Sequence, residues 1–290
     1  MTTGKLKICT LTLLSFLLFA CKTISVNNSS SKPEGYISSS DGVPIYYTNS
    51  GDTDNKTLVF IHCWGCNGTY WGSQIDYFAK SHQVITLDLA GHGLSGAERD
   101  NFTIEKFSED VITIVNKLGL SNVVLIGHSL GALAAVEASL KLPEHIKGII
   151  AIDTFETDYP WPKISEIAQV MAPFQKNFYK TTYPKIKNRF TPQTDKSLIY
   201  RIAKDIALAP PDIGVNSLEN MYQWMAKDYK IIRSKLTTPL LLINAIQTKK
   251  PTDESKQIFY INYVGHYIPQ EAPIKFNETL DQALQQLNNQ

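Results

Sequence analysis

From residue 122 to 142 the chain reads NVVLIGHSLGALAAVEASLKL, where an apolar run of strand character passes without a linker into a helical pattern that Pro143 ends. The exchange recurs. TLVFIHCWG, HQVITLDLAGHG and IKGIIAID are short apolar runs closed by small and polar residues. TIEKFSEDVITIVNKL sets Phe107, Val111, Ile114, Val115 and Leu118 near helical spacing before Gly119 stops it. Strands alternating with helices require crossover connections, and crossovers cover a mainly parallel sheet on both faces. The expectation is an α/β fold of about eight strands, introduced by a hairpin in YISSSDGVPIYYTNSG around the Asp41-Gly42 turn. With 290 residues, 43% of them hydrophobic, the chain can bury one large core. A net charge of +1 with no basic stripe argues against a nucleic-acid partner.

The pattern changes from about residue 154 to 236. Aromatic and proline-rich segments with helical stretches such as KSLIYRIAKDIAL and NSLENMYQWMAKDY carry no strand signal, and TTPLLLINA and KQIFYINYV then resume the strands before a closing helix, PIKFNETLDQALQQL. A helical cap inserted after the sixth strand is expected. Trp161, Phe174, Phe178, Tyr179, Tyr222 and Trp224 would give it an apolar underside, although aromatics at such spacing more often pack a lid onto its body.

Residues 1–20 hold two lysines followed by about a dozen apolar residues, too few for a comfortable membrane span, and read as an export signal. LLFAC at the end of this segment resembles the lipobox of bacterial lipoproteins, with Leu18 and Ala20 at its defining positions. The resemblance implies lipidation of Cys21, anchoring to a membrane of the bacterial cell envelope, and a polar tether over 21–33. Residues 34–290 would form the folded domain. Cys9 falls in the signal. Cys63 and Cys66 form a C-x-x-C that could be a small disulfide, a pair of free thiols or a redox pair.

GHSLG, with Ser129 between Gly127 and Gly131, matches the G-x-S-x-G elbow in which a sharp strand-to-helix turn lifts a serine above the sheet. The alternative is a serine that merely caps the following helix. FIHCWGCNGTYW, DLAGHGLS, GHSLG and VGHYIPQEAP stand in the order of the oxyanion loop, the loop after the fourth strand, the nucleophile elbow and the histidine loop of the α/β-hydrolases, which the chain resembles from about residue 34 onward. The resemblance implies Ser129 as nucleophile and His266 as base. It implies the amides of Trp64 and Leu130 as oxyanion donors, with Cys63 standing where the family usually has glycine. His128 would point away from Ser129, and His62 and His92 would be structural.

The acid is less direct. Thr248 occupies the position after the seventh strand where relatives carry aspartate, and threonine holds no charge beside an imidazolium. Asp153 ends the sixth strand and is placed first; Asp253 is the alternative acid, and Glu156 is a third choice. Strands six and seven are neighbours in such a sheet, about 4.8 Å apart, so a carboxylate on either tip can approach one histidine. Asp153 could instead simply cap the start of the lid.

Serine at the elbow implies acyl transfer to water, with a carboxylic ester of a small apolar acyl group as the expected substrate and no cofactor or metal. Carbon–carbon, lactone or amide hydrolysis would use the same groups. A non-catalytic binding protein on the same scaffold is the other reading that Thr248 leaves open, and a thiol redox role for Cys63 and Cys66 is the third.

Overall fold

The structure, a computed structural model, describes residues 34–51, 56–155, 161–246 and 257–289. Eight strands form one sheet: β1 (Gly35–Ser38), β2 (Pro44–Ser50), β3 (Thr57–Ile61), β4 (Gln83–Leu87), β5 (Val123–His128), β6 (Ile146–Ile152), β7 (Leu240–Ile246) and β8 (Ile258–Asn262), in the order β1-β2-β4-β3-β5-β6-β7-β8. The β1–β2 and β2–β4 pairs are antiparallel, and every later pair is parallel. This is the α/β-hydrolase fold.

Period-two alternation sorts each strand between two cores. Val59, Ile61, Val123 and Leu125 face one side, where they meet α2 (Ile104–Lys117) and α3 (Leu130–Lys141). Leu58, Phe60, Val124 and Ile126 face the other, with Phe78 of α1 (Gly72–Phe78) and Phe276, Leu280 and Leu284 of the last helix (Pro273–Asn288). Each such side chain, fully withdrawn from water, contributes roughly 1.5–3 kcal/mol. Thr103 begins α2 by accepting the Lys106 N–H, and the hairpin turns at Gly42, where φ is 88°. Arg99 ties this corner together: its guanidinium reaches both oxygens of the buried Asp110 and both of Asp41 in the hairpin turn. Removing that cation would leave the buried Asp110 without a counter-charge, held only by the Ser39 hydroxyl and the Ala90 N–H, a larger loss than an exposed ion pair carries.

Among the described residues between β6 and β7 lie five helices, α4 (Ile164–Lys176), α5 (Phe178–Lys187), α6 (Lys196–Ala207), α7 (Pro211–Lys227) and α8 (Tyr229–Lys235). Three of them did not stand out in the sequence: Pro173 and Pro184 interrupt the pattern of α4 and α5, and α8 is only seven residues long. Helix α7 also begins before NSLENMYQWMAKDY, since Pro211 fits a first turn without needing an N–H donor. These helices are fastened to the body by side chains: Trp224 Nε1 donates to Glu137 Oε1 at 2.8 Å, and Asn216 Oδ1 accepts the Phe102 N–H at 2.8 Å. A short helix, α9 (Ile268–Glu271), precedes the last one, α10. No helix among the described residues is long and apolar enough to cross a membrane. The expected signal, Cys21 and the tether lie outside the described residues.

Candidate active site

The carboxyl ends of parallel strands are where an open α/β sheet exposes residues to a crevice. Ser129 follows β5 with φ 53° and ψ −118°, a left-handed conformation that L-residues rarely adopt. Its N–H donates to the Ile152 carbonyl at 3.1 Å and its own carbonyl accepts from Ala132 at 2.9 Å, so the turn is held from both sides. Its side chain makes no capping bond to the helix that follows, which removes the reading of Ser129 as a cap. The flanking glycines are required by close approach: a Cβ on Gly131 would lie 2.4 Å from the Ile61 carbonyl oxygen, and one on Gly127 would lie 2.5 Å from the Ala132 nitrogen.

Asp153 ends β6, also left-handed at φ 46°, and its N–H donates to the Ile243 carbonyl of neighbouring β7. One carboxylate oxygen, Oδ1, accepts the Ala245 N–H at 2.9 Å, and the other, Oδ2, lies 2.6 Å from His266 Nδ1. The sixth-strand aspartate therefore meets the histidine. Asp253, Glu156 and Thr248 lie outside the described residues.

His266 is clamped through its main chain. Its N–H donates to the Arg189 carbonyl, which comes from the segment after α5, and its carbonyl accepts from His128 Nε2, both at 2.8 Å. A Cβ on Gly265 would come within 2.0 Å of that Arg189 oxygen, so only glycine permits the approach. Glu271 takes the Gly265 N–H at 2.9 Å and also bonds Thr194. His128 is thus a hydrogen-bonding support, as its place beside the elbow suggested. Burial holds its pKa down near 3, so it serves as a neutral donor.

The loop after β3 is built around a neutral histidine as well. His62 Nε2 accepts the Leu89 N–H at 3.0 Å while Nδ1 donates to the Cys63 carbonyl at 2.8 Å, and burial lowers its pKa to about 4. Cys63 and Cys66 are joined by a disulfide, with Cα atoms 5.2 Å apart, and both are buried. That burial withholds them from thiol exchange partners. Trp64, between them, sends its indole N–H to the Gly214 carbonyl and Ser217 Oγ of α7, both at 3.0 Å, so the loop is also pinned to the helices above it. Neither the Trp64 nor the Leu130 main-chain N–H is bonded to an acceptor among the described residues. His92 Nδ1 donates to the Ala90 carbonyl, and Asp88 takes the N–H groups of Gly68 and Leu94; both are structural.

Ser129, Asp153 and His266 border one cavity of about 410 Å3 with Phe155, Trp161, Arg189 and Met221. A smaller hollow of about 70 Å3 on the Trp64 side is also bordered by Ser129 and His266, with Phe174 and Tyr222. Of the six aromatics expected to line the pocket, Trp161, Phe174 and Tyr222 do. Phe178 instead packs edge-on against Trp64, Trp224 is buried on Glu137, and Tyr179 is largely exposed. A wider hollow of about 670 Å3 between α4, α5 and α7 holds none of the reactive side chains.

Burial sets the protonation states. It raises the Asp153 carboxyl to about 6, partly offset by the Ala245 N–H, and it lowers His266, which the nearby Arg189 charge lowers further. At neutral pH the resting pair is a carboxylate beside an uncharged imidazole, the form that can accept a proton. Below about pH 6 the pair takes up one proton and that form disappears. Turnover is therefore expected to fall on the acid side about tenfold per pH unit, with a midpoint near 6 and a plateau above. A kcat/KM profile that stayed flat to pH 4.5 or so on folded protein would contradict this assignment.

Over residues 56–200 the chain matches the family described as alpha/beta hydrolase fold. It is 36% identical over 97 residues to a non-heme chloroperoxidase of Burkholderia pyrrocinia, covering 33% of this chain and 35% of that one. It is 34% identical over 98 residues to a bifunctional esterase/perhydrolase of Acinetobacter calcoaceticus, covering 33% and 36%. The matched stretch spans about a third of the length of these curated relatives. A solved thermophilic esterase from Thermogutta terrifontis superposes with a TM-score of 0.73 at 20% identity, over 88% of this chain and 99% of that one.

Proposed function

The chain belongs to the α/β-hydrolase fold family, and from that premise we propose that it hydrolyses a carboxylic ester through an acyl-enzyme formed on Ser129. The observation that carries this reading is the 2.6 Å contact between His266 Nδ1 and Asp153 Oδ2 beside a serine raised on a left-handed turn into the same cavity. With Asp153 holding Nδ1–H, the other ring nitrogen, Nε2, is left basic. It takes the Ser129 proton as Oγ attacks the ester carbonyl, then gives that proton to the departing alcohol. A water deprotonated the same way releases the acid and restores Ser129. The Leu130 and Trp64 amides supply donors for the oxyanion in both steps.

The test is turnover of short and medium acyl 4-nitrophenyl esters by the detergent-solubilised full chain, read with labelling by a neutral serine-directed phosphonate. Hydrolysis and a single adduct on Ser129, both lost in Ser129→Ala, are the expected results. A folded protein that neither turned over any ester nor took the label would favour a binding role.

Export and lipidation are part of the same proposal, supported by the apolar run before LLFAC. The protein is expected to partition into the detergent phase from a bacterial envelope, and Cys21→Ser to release it into the aqueous phase. Equal partitioning of the two would remove the anchor.

A further inference from the structure

The two hollows that meet at the nucleophile share four residues, Ser129, Arg189, Met221 and His266. Arg189 therefore stands where a substrate lying across Ser129 passes from one arm of the cleft to the other. Its charge is near enough to favour the Asp153 carboxylate and to disfavour a protonated His266. Lys185, four residues earlier and near the end of α5, borders the smaller arm. Among the described residues lining either arm the only carboxylate is Asp153, and both its oxygens are already engaged, by Ala245 and His266. The surrounding helices add to the same field. Residues 161–235 carry thirteen lysines and arginines against six aspartates and glutamates, in a chain that totals 28 against 27. The positive excess is thus concentrated in the segment of helices between β6 and β7, where Arg189 and Lys185 border the cleft, and such an excess raises the local concentration of anions.

We propose that the cleft selects esters whose acyl part ends in a second carboxylate, and that Arg189 is the residue that binds it, with Lys185 as a second cation. The proposal rests on the ester-hydrolase reading and names its substrate class. Because Arg189 borders both arms, it is in reach whichever arm the acyl chain occupies. The guanidinium fork matches a carboxylate in a way a lone ammonium does not. Arg189 also has a partner within the chain, which a substrate carboxylate would join or displace. Phe155, Trp161, Phe174 and Tyr222 offer apolar surface to the methylenes between ester and carboxylate. This substrate is amphipathic, where the sequence suggested an apolar one.

The experiment compares kcat/KM for mono-4-nitrophenyl glutarate and for its neutral counterpart of equal length, 4-nitrophenyl valerate, in the full chain, Arg189→Met and Lys185→Met. Taking the ratio within each protein cancels any loss of folding or of catalysis common to both esters. The full chain is expected to prefer the glutarate roughly tenfold or more, about the value of one charge-assisted pair. That preference should fall by about the same factor in Arg189→Met, mainly through KM, and by roughly two- to threefold in Lys185→Met. Added salt should weaken it. Protection of Ser129 from the neutral phosphonate by free glutarate, but not by inorganic phosphate at equal concentration, would identify carboxylate as the recognised anion. Protection by phosphate alone overturns the carboxylate assignment. Equal or better use of valerate by the full chain, or a ratio unchanged in Arg189→Met, overturns the proposal while leaving ester hydrolysis standing. Loss of all ester turnover together with the phosphonate label removes both readings.

Discussion

Asp153→Asn is expected to lower kcat by about 10⁴-fold at neutral pH while leaving the fold intact, because it gives His266 the wrong tautomer. Asparagine is isosteric with aspartate and is among the few residues that tolerate the left-handed φ of 46° at this position. The Ala245 N–H also dictates which way the new side chain must turn. That amide donates to Oδ1, so the asparagine oxygen stays there and its NH2 group faces His266 Nδ1. An NH2 donor requires Nδ1 to be the acceptor, which moves the ring proton to Nε2. The nitrogen that should receive the Ser129 proton then already carries one. Circular dichroism and thermal unfolding should be close to the unmodified chain, and phosphonate labelling of Ser129 should slow with turnover. If instead Asp153→Asn kept within about tenfold of full activity, the carboxylate that matters would have to come from elsewhere, and Asp253→Asn would be the variant to measure next.

How much of this was legible before the fold was known depends on the kind of signal each residue leaves. Ser129 was legible because an apolar run of strand character gives way to a helical pattern at the serine itself, between Gly127 and Gly131, and a strand that passes into a helix without a linker must turn there. Asp153 could be placed by topology: it is the last residue of an apolar run, and parallel neighbours bring strand tips together. The actual connection, Asp153 N–H to Ile243 and Ala245 N–H to Asp153, is that neighbour relation in hydrogen-bonded form. Arg189 left no such mark. Its carbonyl holds the His266 loop and it borders the cleft, yet it lies in a short connection after α5, where no periodicity predicts a side-chain direction. Glu271 was hidden for the same reason, since its partners Gly265 and Thr194 are joined only through the folded arrangement. The disulfide was undetermined because C-x-x-C spacing permits closure without requiring it. The aromatics of the cap show the limit most directly: composition marked all six, but which ones face ligand and which face the body depends on helix orientation, and orientation is fixed by contacts such as Trp224 with Glu137.

Ser129→Gly should abolish turnover, by roughly 10⁶-fold as when an activated serine is lost, and at the same time make the protein more stable than Ser129→Ala. The two variants remove the same hydroxyl, so they differ only in what the backbone must endure. At φ 53° and ψ −118° a Cβ is held in a region that costs of order 1–3 kcal/mol for any residue but glycine. The cost is maintained by the bonds on either side, Ser129 N–H to Ile152 and Ala132 N–H to the Ser129 carbonyl, and by the tight seat of Gly131 on β3. Against this stands the greater freedom of glycine in the unfolded chain, about 0.5–1 kcal/mol. The strain is the larger quantity, and Ser129→Gly is expected to exceed Ser129→Ala by roughly 1 kcal/mol in denaturant unfolding. The sign is the informative part, because at the first position before an ordinary helix interior glycine gains little, and inside a helix it loses about 1 kcal/mol to alanine. A glycine variant no more stable than the alanine variant would mean that the elbow relaxes once the hydroxyl is gone, and that the raised position of Ser129 is sustained by its side chain. The predicted order places the strain in the strand–turn–helix scaffold, where it holds Ser129 above the sheet in the absence of substrate.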